Sequence, residues 1–600
     1  MSHEKLLAHL LATPSIAGSP LARELAVVVC AATGVTSAGY PFLSNEAWLR
    51  FRDRVPHILA MGPQAIAALD LVVAEAVGAH NVDIASAVKV VRTCVLTAAV
   101  TAPSDLWLCR YVLGTLAHVG LAQRLIDGEA LDVSTAGVDA RQLTIDLELL
   151  LSRGLVSRDH DGRFCARSDS PTALSTLAAF SAPPAWPADV SHLWARLFRG
   201  ERLPPASRAV LLALGQDVPV RTTIEQDTWC PTAAEVEAGA RLVPLVLGLR
   251  ASGRHTKLTT ADTGSVLDAA ALAAWDRPCA QAAIAVLTAC GVLDDAGHVT
   301  VCGRRVAEKG AGPMGIIEAY HPYMAHLDEI LTGDGTGGHA WVTRGANIAA
   351  SQDANHDSFA RANDALDAFV IDTGYQLSVF IEHAIGRGEA TRQRFARPGG
   401  AKLQYFGADL EDAAIDACLE EQRAGRLPAN MVFVRAADIG VPALLVDAIT
   451  DAGADPNGAV MIVGNGFHEV REQTDARMVE VFRGYADAGV VMLFTEESAL
   501  RLDDLLATAW NTYHAGFRYV HEKSGQGLRP AEPAPPSKLG HRLQKSWREC
   551  AEAGGYVRVD SYSSKSRTVY PLTTSGIYNP AISANHFCVP RALATKLGLT

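Results

Sequence analysis

Short apolar runs recur through the second half of the chain, and each is followed by polar or small residues and then by a helical pattern. They lie within residues 379–381, 402–414, 430–440, 459–470 and 489–498. Nearly continuous apolar runs of this length are typical of strands in a parallel sheet that is covered on both faces. Their alternation with helices predicts βαβ units with right-handed crossovers, and therefore a doubly wound α/β fold.

A turn of small residues follows the first run and leads directly into a helical pattern. Alternate positions of this turn are occupied by Ala384, Gly386 and Gly388. Glycine lets the backbone approach a ligand closely, and a helix N-terminus offers free N–H groups beside it. Strand, small-residue turn and helix is the arrangement by which a doubly wound sheet holds a nucleotide-like ligand. The alternative is an ordinary strand-to-helix turn inside an α/β core.

Acidic residues stand at the ends of the first three predicted strands, as Glu382, Asp409 and Asp438. The carboxyl ends of strands are where ligands bind in open α/β sheets. Asp409 comes 21 residues after Gly388, a spacing at which an acid can hold two ribose hydroxyls. The three acids together predict a ligand site, and the alternative is that they are solvated turn residues or helix N-caps.

The first half of the chain carries mainly helical patterns. Helices are predicted over 63–79 and 84–99, and two later stretches each combine helices with a hairpin, at 157–167 and 294–308. Helices followed by a two-stranded wing predict winged-helix units, and their separation of about 130 residues suggests a duplication. We therefore expect a helical domain (1–100), a first winged-helix unit and linker (101–240), a second, dimerising unit (241–345) and an α/β domain with a C-terminal extension (346–600).

Composition and charge exclude several classes of protein. The chain is 49% hydrophobic and 20% charged, with a net charge of −12, which is a globular balance without the basic surface that nucleic-acid binding needs. The candidate recognition helix, residues 279–293, contains no Lys or Arg. No membrane span or secretory signal is predicted, and the eleven scattered cysteines fit reduced thiols in the cytoplasm.

These motifs together resemble those of class I S-adenosylmethionine-dependent methyltransferases preceded by a winged-helix dimerisation domain, as in the O-methyltransferase group. FIEHAIGRGEA resembles the glycine-rich first motif, with Ala384 where the first glycine usually stands, while YFGADLED and FVRAADIG resemble the segments with the second- and third-strand acids. The resemblance implies a Rossmann-like methyltransferase sheet, S-adenosylmethionine as cofactor, a small-molecule acceptor and a homodimer. The cofactor-binding residues that it implies are Glu382, Ala384, Gly386, Gly388, Asp409, Leu410, Asp438, Ile439, Gly464 and Asn465.

Catalytic candidates follow the fourth and fifth predicted strands. VGNGFHEVREQTD resembles the segment in which O-methyltransferases often carry a catalytic histidine. Imidazole suits a general base near neutral pH, so His468 is the candidate base, with Glu469 to orient it; the alternative is a structural role. A dense His/Tyr/Arg segment at 510–530 predicts substrate contacts from Tyr513 and His514. If this segment is helical, His514 and His521 share a face of the helix. A metal site built from His468, His514 and His521 is a weaker alternative. We therefore expect no metal.

Two other functions remain open from the sequence. The same cofactor supports aminocarboxypropyl transfer or ring closure, which the dense His/Tyr segment would steer. The second is a winged-helix regulator whose α/β half senses a ligand, which the acidic charge disfavours. The identity of the acceptor and the choice among O-, N-, S- and C-methylation cannot be read from the sequence.

Overall fold

A computed structural model describes residues 3–30, 32–35, 41–43, 82–219, 230–260, 266–333, 345–471, 473–502, 505, 514–534, 544–568 and 581–599. The chain divides into two compact units. The first comprises Met1–Val342 and Leu505–Val520, and the second comprises Thr343–Asp504 and His521–Thr600.

The described part of the first unit is mainly helical. Its helices are His3–Ala12, Pro14–Ala17, Pro20–Cys30, Val82–His118, Leu121–Ile126, Ala140–Ser152, Pro171–Ala178, Val190–Arg199, Pro205–Gly215, Ala233–Ala251, Thr256–Thr259, Ala269–Ala273, Arg277–Ala289, Val301–Lys309, Ala311–Glu318, His321–Met324 and Leu327–Thr332. Short strands pair as Ala32–Val35 with Pro41–Leu43 and as Val156–Arg158 with Phe164–Ala166. None of the helices in this or the other described parts combines the length and apolar character needed to cross a membrane.

The first predicted hairpin is present, and the second is wrong in its second half. Val156–Arg158 and Phe164–Ala166 form the expected hairpin. In the second segment, the described residues form only isolated bridges such as Leu293 with Val299, and Val301–Lys309 is a helix. The reason is a local cap: the Thr300 hydroxyl accepts a hydrogen bond from the backbone N–H of Gly303, which stabilises a helix start.

Two further helices were predicted near the start of the chain, at 63–79 and 84–99. The helix predicted at 84–99 is the beginning of the longer helix Val82–His118, whereas the one at 63–79 lies outside the described residues. The winged-helix assignment, the four-domain division and the dimer stay predictions.

The second unit is built on a sheet whose described strands number eight. We label them β1 (Val379–His383), β2 (Gln404–Ala408), β3 (Val432–Val434), β4 (Val460–Gly464), β5 (Val491–Glu497), β6 (Tyr556–Arg558), β7 (Ser564–Thr568) and β8 (Ala581–Pro590). Their order is β6-β8-β5-β4-β1-β2-β3, with β7 also pairing with β8. The pairs among β1–β5 are parallel, and those of β8 with β5, β6 and β7 are antiparallel.

Helices cover both faces of this sheet, as the apolar runs predicted. Its described helices are Gly345–Thr373, Glu389–Phe395, Asp412–Arg423, Pro442–Asp451, Asp475–Asp487, the end of His514–Lys523, Trp547–Ala553 and Arg591–Lys596. Alternate strand residues enter opposite cores: Ile381 packs with the helices at 442–451 and 475–487, and Phe380 packs with those at 345–373 and 412–423. This alternation follows from the period of a strand. The predicted doubly wound α/β fold is confirmed.

The strand order reverses between β1 and β4. β1 pairs with β2 on one side and with β4 on the other. The sheet therefore continues from β1 through β2 and β3 in one direction, and from β4 through β5 in the other. Such a switch point leaves a crevice at the carboxyl ends of the strands, where ligands bind in open α/β sheets. The candidate site is therefore expected at the ends of β1 and β4.

Candidate active site

The predicted cofactor residues all lie at the carboxyl ends of β1, β2, β3 and β4 or in the turns that follow. The turn after β1 is shaped by left-handed backbone at Ala384 (φ 54°), Gly386 (φ 55°) and Gly388 (φ 77°). Glycine adopts this conformation without cost, but alanine pays about 1–2 kcal/mol. Backbone strain of this kind accumulates at functional sites, so Ala384 marks this turn as one that the fold holds in place.

The Glu382 carboxylate binds the backbone at the start of the helix that follows this turn. Its Oε1 accepts a hydrogen bond from the Ala390 N–H at 3.1 Å, and its Oε2 accepts one from the Thr391 N–H at 2.7 Å. The carboxyl is buried, and burial raises its pKa to about 7 against the lowering effect of these bonds. Glu382 therefore closes the N-terminus of the helix Glu389–Phe395, and both of its oxygens contact backbone.

Asp409 connects the end of β2 to the turn after β1. Its Oδ2 accepts a hydrogen bond from the Gly386 N–H at 3.1 Å, and its Oδ1 accepts one from the Glu411 N–H at 3.0 Å. The neighbouring Leu410 side chain is 44% exposed. An acidic side chain and an exposed apolar side chain therefore stand next to each other at the end of β2.

The end of β3 repeats this combination of acid and apolar side chain. Asp438 Oδ1 accepts a hydrogen bond from the Gly440 N–H at 2.7 Å, and the intervening Ile439 is buried. Ala436, two residues earlier, has φ 49°. The turn after β3 is thus held in a strained shape, as is the turn after β1.

The turns after β1, β3 and β4 meet at Gly466. A Cβ added to Gly466 would lie 2.8 Å from Val463 Cγ1, 3.2 Å from Ala384 Cβ and 3.3 Å from Ile439 Cδ1. The preceding Asn465 has φ 56°, and its side-chain oxygen is buried without a hydrogen-bond partner among the described residues. A buried polar atom of this kind requires a partner such as a ligand or water. The structure therefore brings together residues from three of the predicted motifs.

His468 follows this turn and forms a buried pair with Glu496 at the end of β5. His468 Nδ1 lies 2.8 Å from Glu496 Oε2, and Glu496 Oε1 accepts a hydrogen bond from the Phe467 N–H at 2.5 Å. Burial lowers the pKa of His468, but the negative charges of Glu496 and Glu469 outweigh it and raise the pKa to about 10. The sequence signal that could have indicated this pairing is an acid at the end of the neighbouring strand.

Glu469 and His521 contact the same imidazole. Glu469 Oε1 lies 3.4 Å from His468 Nε2, and the ring of His521 stands edge-on to the His468 ring with centroids 4.9 Å apart. The Gln526 side chain donates a hydrogen bond to Glu469 Oε2. The dense segment at 510–530 therefore does contribute residues to this site, through His521 and Gln526.

His514 belongs to a different compact unit from His468. His514 is buried in the first compact unit, where its ring stacks on Phe517 with centroids 5.9 Å apart. Its position seven residues before His521 places both on one helix, but the division between the two units falls between them. Among the described residues, His468, His514 and His521 do not form a group able to hold a metal ion. Tyr513 lies outside the described residues.

Comparison with known proteins gives structural similarities only. No family model matches the sequence, and no curated protein matches it. The chain aligns with the CurJ carbon methyltransferase at 10% identity and TM-score 0.31 over 82% of this chain and 92% of the other. It aligns with the citrinin polyketide synthase CMeT domain at 11% identity and TM-score 0.29 over 91% and 97%.

A third solved structure is a S-adenosylmethionine-dependent methyltransferase from Clostridium acetobutylicum. It aligns at 9% identity and TM-score 0.24, over 39% of this chain and 92% of the other. TM-scores this low do not establish a common fold.

Proposed function

We propose that this protein is an enzyme that transfers a methyl group from S-adenosylmethionine to a small-molecule acceptor, with His468 as the general base. The observation that carries the proposal is the meeting of the turns after β1, β3 and β4 at Gly466, two residues before the His468–Glu496 pair. The meeting point of the three turns and a buried histidine–carboxylate pair are thus formed by one loop. This is the geometry expected of a base that acts beside a bound nucleotide-like cofactor.

The side chains around the crevice fit S-adenosylmethionine. Asp409 stands at the carboxyl end of β2, where its carboxylate would accept hydrogen bonds from the ribose hydroxyls. Leu410 and Ile439 would supply apolar contacts on the adenine side. The unpartnered oxygen of Asn465 would accept a hydrogen bond from the cofactor. When bound, the cofactor supplies a sulfonium-activated methyl group.

The His468–Glu496 pair explains how a proton would be removed from the acceptor. Glu496 is fully buried and fixes the imidazole through Nδ1, which leaves Nε2 as the ring nitrogen that faces other groups. A general base is useful for an acceptor with a weakly acidic O–H or C–H hydrogen, whereas a neutral amine or thiolate needs none. We therefore infer that the acceptor is a small molecule with such a hydrogen.

The assembly is also a proposal. A homodimer formed through the helical first unit, with winged-helix units in that interface, follows from the sequence resemblance. Sedimentation equilibrium of the full chain tests it: a mass of one chain at micromolar concentration would contradict the dimer.

Calorimetric titration with S-adenosylmethionine tests the cofactor assignment. We expect saturable binding, and absence of heat at millimolar ligand would remove the proposal.

Product analysis then separates the reactions that share this cofactor: methyl transfer leaves S-adenosylhomocysteine, whereas aminocarboxypropyl transfer or ring closure leaves methylthioadenosine. Replacement of the base, His468→Gln, is expected to lower the transfer rate by about 10²–10⁴-fold while S-adenosylmethionine still binds.

A further inference from the structure

The loop that carries His468 is tied to a second segment of the same unit, residues 521–529. The Gly527 N–H donates a hydrogen bond to the His468 carbonyl at 3.1 Å. Gln473 Nε2 donates one to the Phe467 carbonyl at 2.8 Å, and Arg529 Nε donates one to Gln473 Oε1 at 3.1 Å. Because these bonds hold the main chain on both sides of the imidazole, segment 521–529 fixes where the ring stands.

Titratable groups from three elements contact the His468 ring. Glu496, from β5, lies at Nδ1 at 2.8 Å, and Glu469, from the same loop as His468, lies at Nε2 at 3.4 Å. His521, from the helix His514–Lys523, stands against the ring edge. The imidazole is therefore placed between two carboxylates, one at each nitrogen.

Gln526 keeps Glu469 in this position. Its amide donates to Glu469 Oε2, while its own backbone N–H donates to the His521 carbonyl at 2.8 Å and its Oε1 accepts from the Ser524 hydroxyl at 3.3 Å. Gln526 is buried, so its amide has little freedom to turn away. The carboxylate at Nε2 is thus held by a chain of hydrogen bonds that begins in segment 521–529.

We propose that Glu469, positioned by Gln526, keeps Nε2 of His468 protonated in the folded chain, and that the acceptor must displace Glu469 before His468 can act as a base. This inference rests on the proposed function, because Nε2 is assigned as the nitrogen that receives the acceptor's proton. Once Glu469 moves, the proton on Nε2 leaves to water and a neutral imidazole remains. That imidazole then takes the proton of the acceptor. Glu469 and Gln526 are therefore positioning residues that control when the base becomes available.

The balance of charges supports this role. Burial in the second unit disfavours an imidazolium, yet the two carboxylates raise the pKa of His468 to about 10. One carboxylate is enough to orient a histidine base, and the second at Nε2 adds proton affinity that a working base does not need. Glu469 retains 20% exposure of its side chain, so it is the partner that can move toward solvent, whereas Glu496 is fully buried.

The experiment is a titration of the His468 imidazole in the full chain, with histidines labelled at the ring and the signal assigned by its loss in His468→Gln. We expect the wild-type ring to stay protonated above pH 8. Glu469→Gln and Gln526→Leu should each move the titration down by about one unit or more, which is about tenfold in neutral imidazole at a given pH. The matched control, Glu480→Gln, removes an exposed carboxylate from the helix Asp475–Asp487 and should leave the titration unchanged.

If the His468 ring of the Glu469→Gln variant titrates at the same pH as in the wild type, the inference is overturned. The His521→Phe variant separates the contribution of the neighbouring ring; if it moves the titration as far as Glu469→Gln does, the assignment to Glu469 is wrong. Methyl transfer provides the second readout: Glu469→Gln should be about tenfold faster than wild type near pH 7. Failure of S-adenosylmethionine binding would refute the proposed function and leave the titration result standing, so the two failures are distinguishable.

Discussion

The backbone N–H of Gly386 donates a hydrogen bond to Oδ2 of Asp409 at 3.1 Å. This bond joins the turn after β1 to the end of β2, two segments that the sequence separates by a helix. The same aspartate also accepts the Glu411 N–H through Oδ1, so its carboxylate is fixed in direction at the crevice. The orientation of Asp409 is what makes it a candidate for ribose recognition.

Replacing Asp409 by Asn should weaken S-adenosylmethionine binding about 10- to 100-fold, because hydrogen bonds to a charged acceptor contribute about 1.5–3 kcal/mol. Calorimetric titration measures this loss. The control is Asp416→Asn, which removes a carboxylate on the helix Asp412–Arg423 that pairs with Arg435 at the surface. Equal affinity of the Asp409→Asn variant and the wild type would show that Asp409 does not contact the cofactor.

Replacing Ala384 by Gly should raise the free energy of unfolding by up to about 1 kcal/mol, since glycine adopts φ 54° without the steric cost that alanine pays. Denaturant titration measures it. The matched change Ala476→Gly, in the helix Asp475–Asp487, should instead lower stability by about 1 kcal/mol. A loss of stability in both variants would contradict the strain assigned to the turn after β1.

Replacing Gly466 by Ala should reduce S-adenosylmethionine affinity about tenfold or more, with a loss of stability of about 1–3 kcal/mol from overpacking. The new Cβ would lie 2.8 Å from Val463 Cγ1 and 3.2 Å from Ala384 Cβ, so the turns after β1 and β4 must separate. Calorimetry and denaturant titration report the two effects. Gly312→Ala is the control, since a Cβ there meets no described atom within 4 Å; unchanged binding in Gly466→Ala would place the cofactor elsewhere.

Stability should fall at alkaline pH through the titration of His468. The pKa of its imidazole is raised to about 10 in the folded chain, against about 6.5 when unfolded. The favourable contribution is therefore complete below pH 6.5 and is lost as the pH rises through 10. Unfolding measured at pH 6, 8 and 10 for wild type and His468→Gln isolates this group from other alkaline titrations. A constant difference between the two proteins across this range would refute the raised pKa.

The sequence by itself determined β1 to β5 of the second unit and the turns that follow them, because each depends on neighbouring residues. The apolar runs became β1 to β5, the small residues at 384, 386 and 388 took left-handed backbone, and the acids came to the strand ends. The prediction of a second hairpin was wrong because it overlooked a helix N-cap. Thr300 caps the helix Val301–Lys309, which takes the place of the expected second strand.

Only the tertiary structure decided which polar groups meet. His468 and Glu496 are 28 residues apart in the chain, and Glu469 and Gln526 are 57 apart, so no spacing rule connects them. His514, which the sequence grouped with His468, belongs to the first compact unit. The physical reason is that the side-chain pairs are set by strand order and loop packing, which arise from burial of the whole sheet, whereas the period of a strand or helix is set by a few adjacent residues.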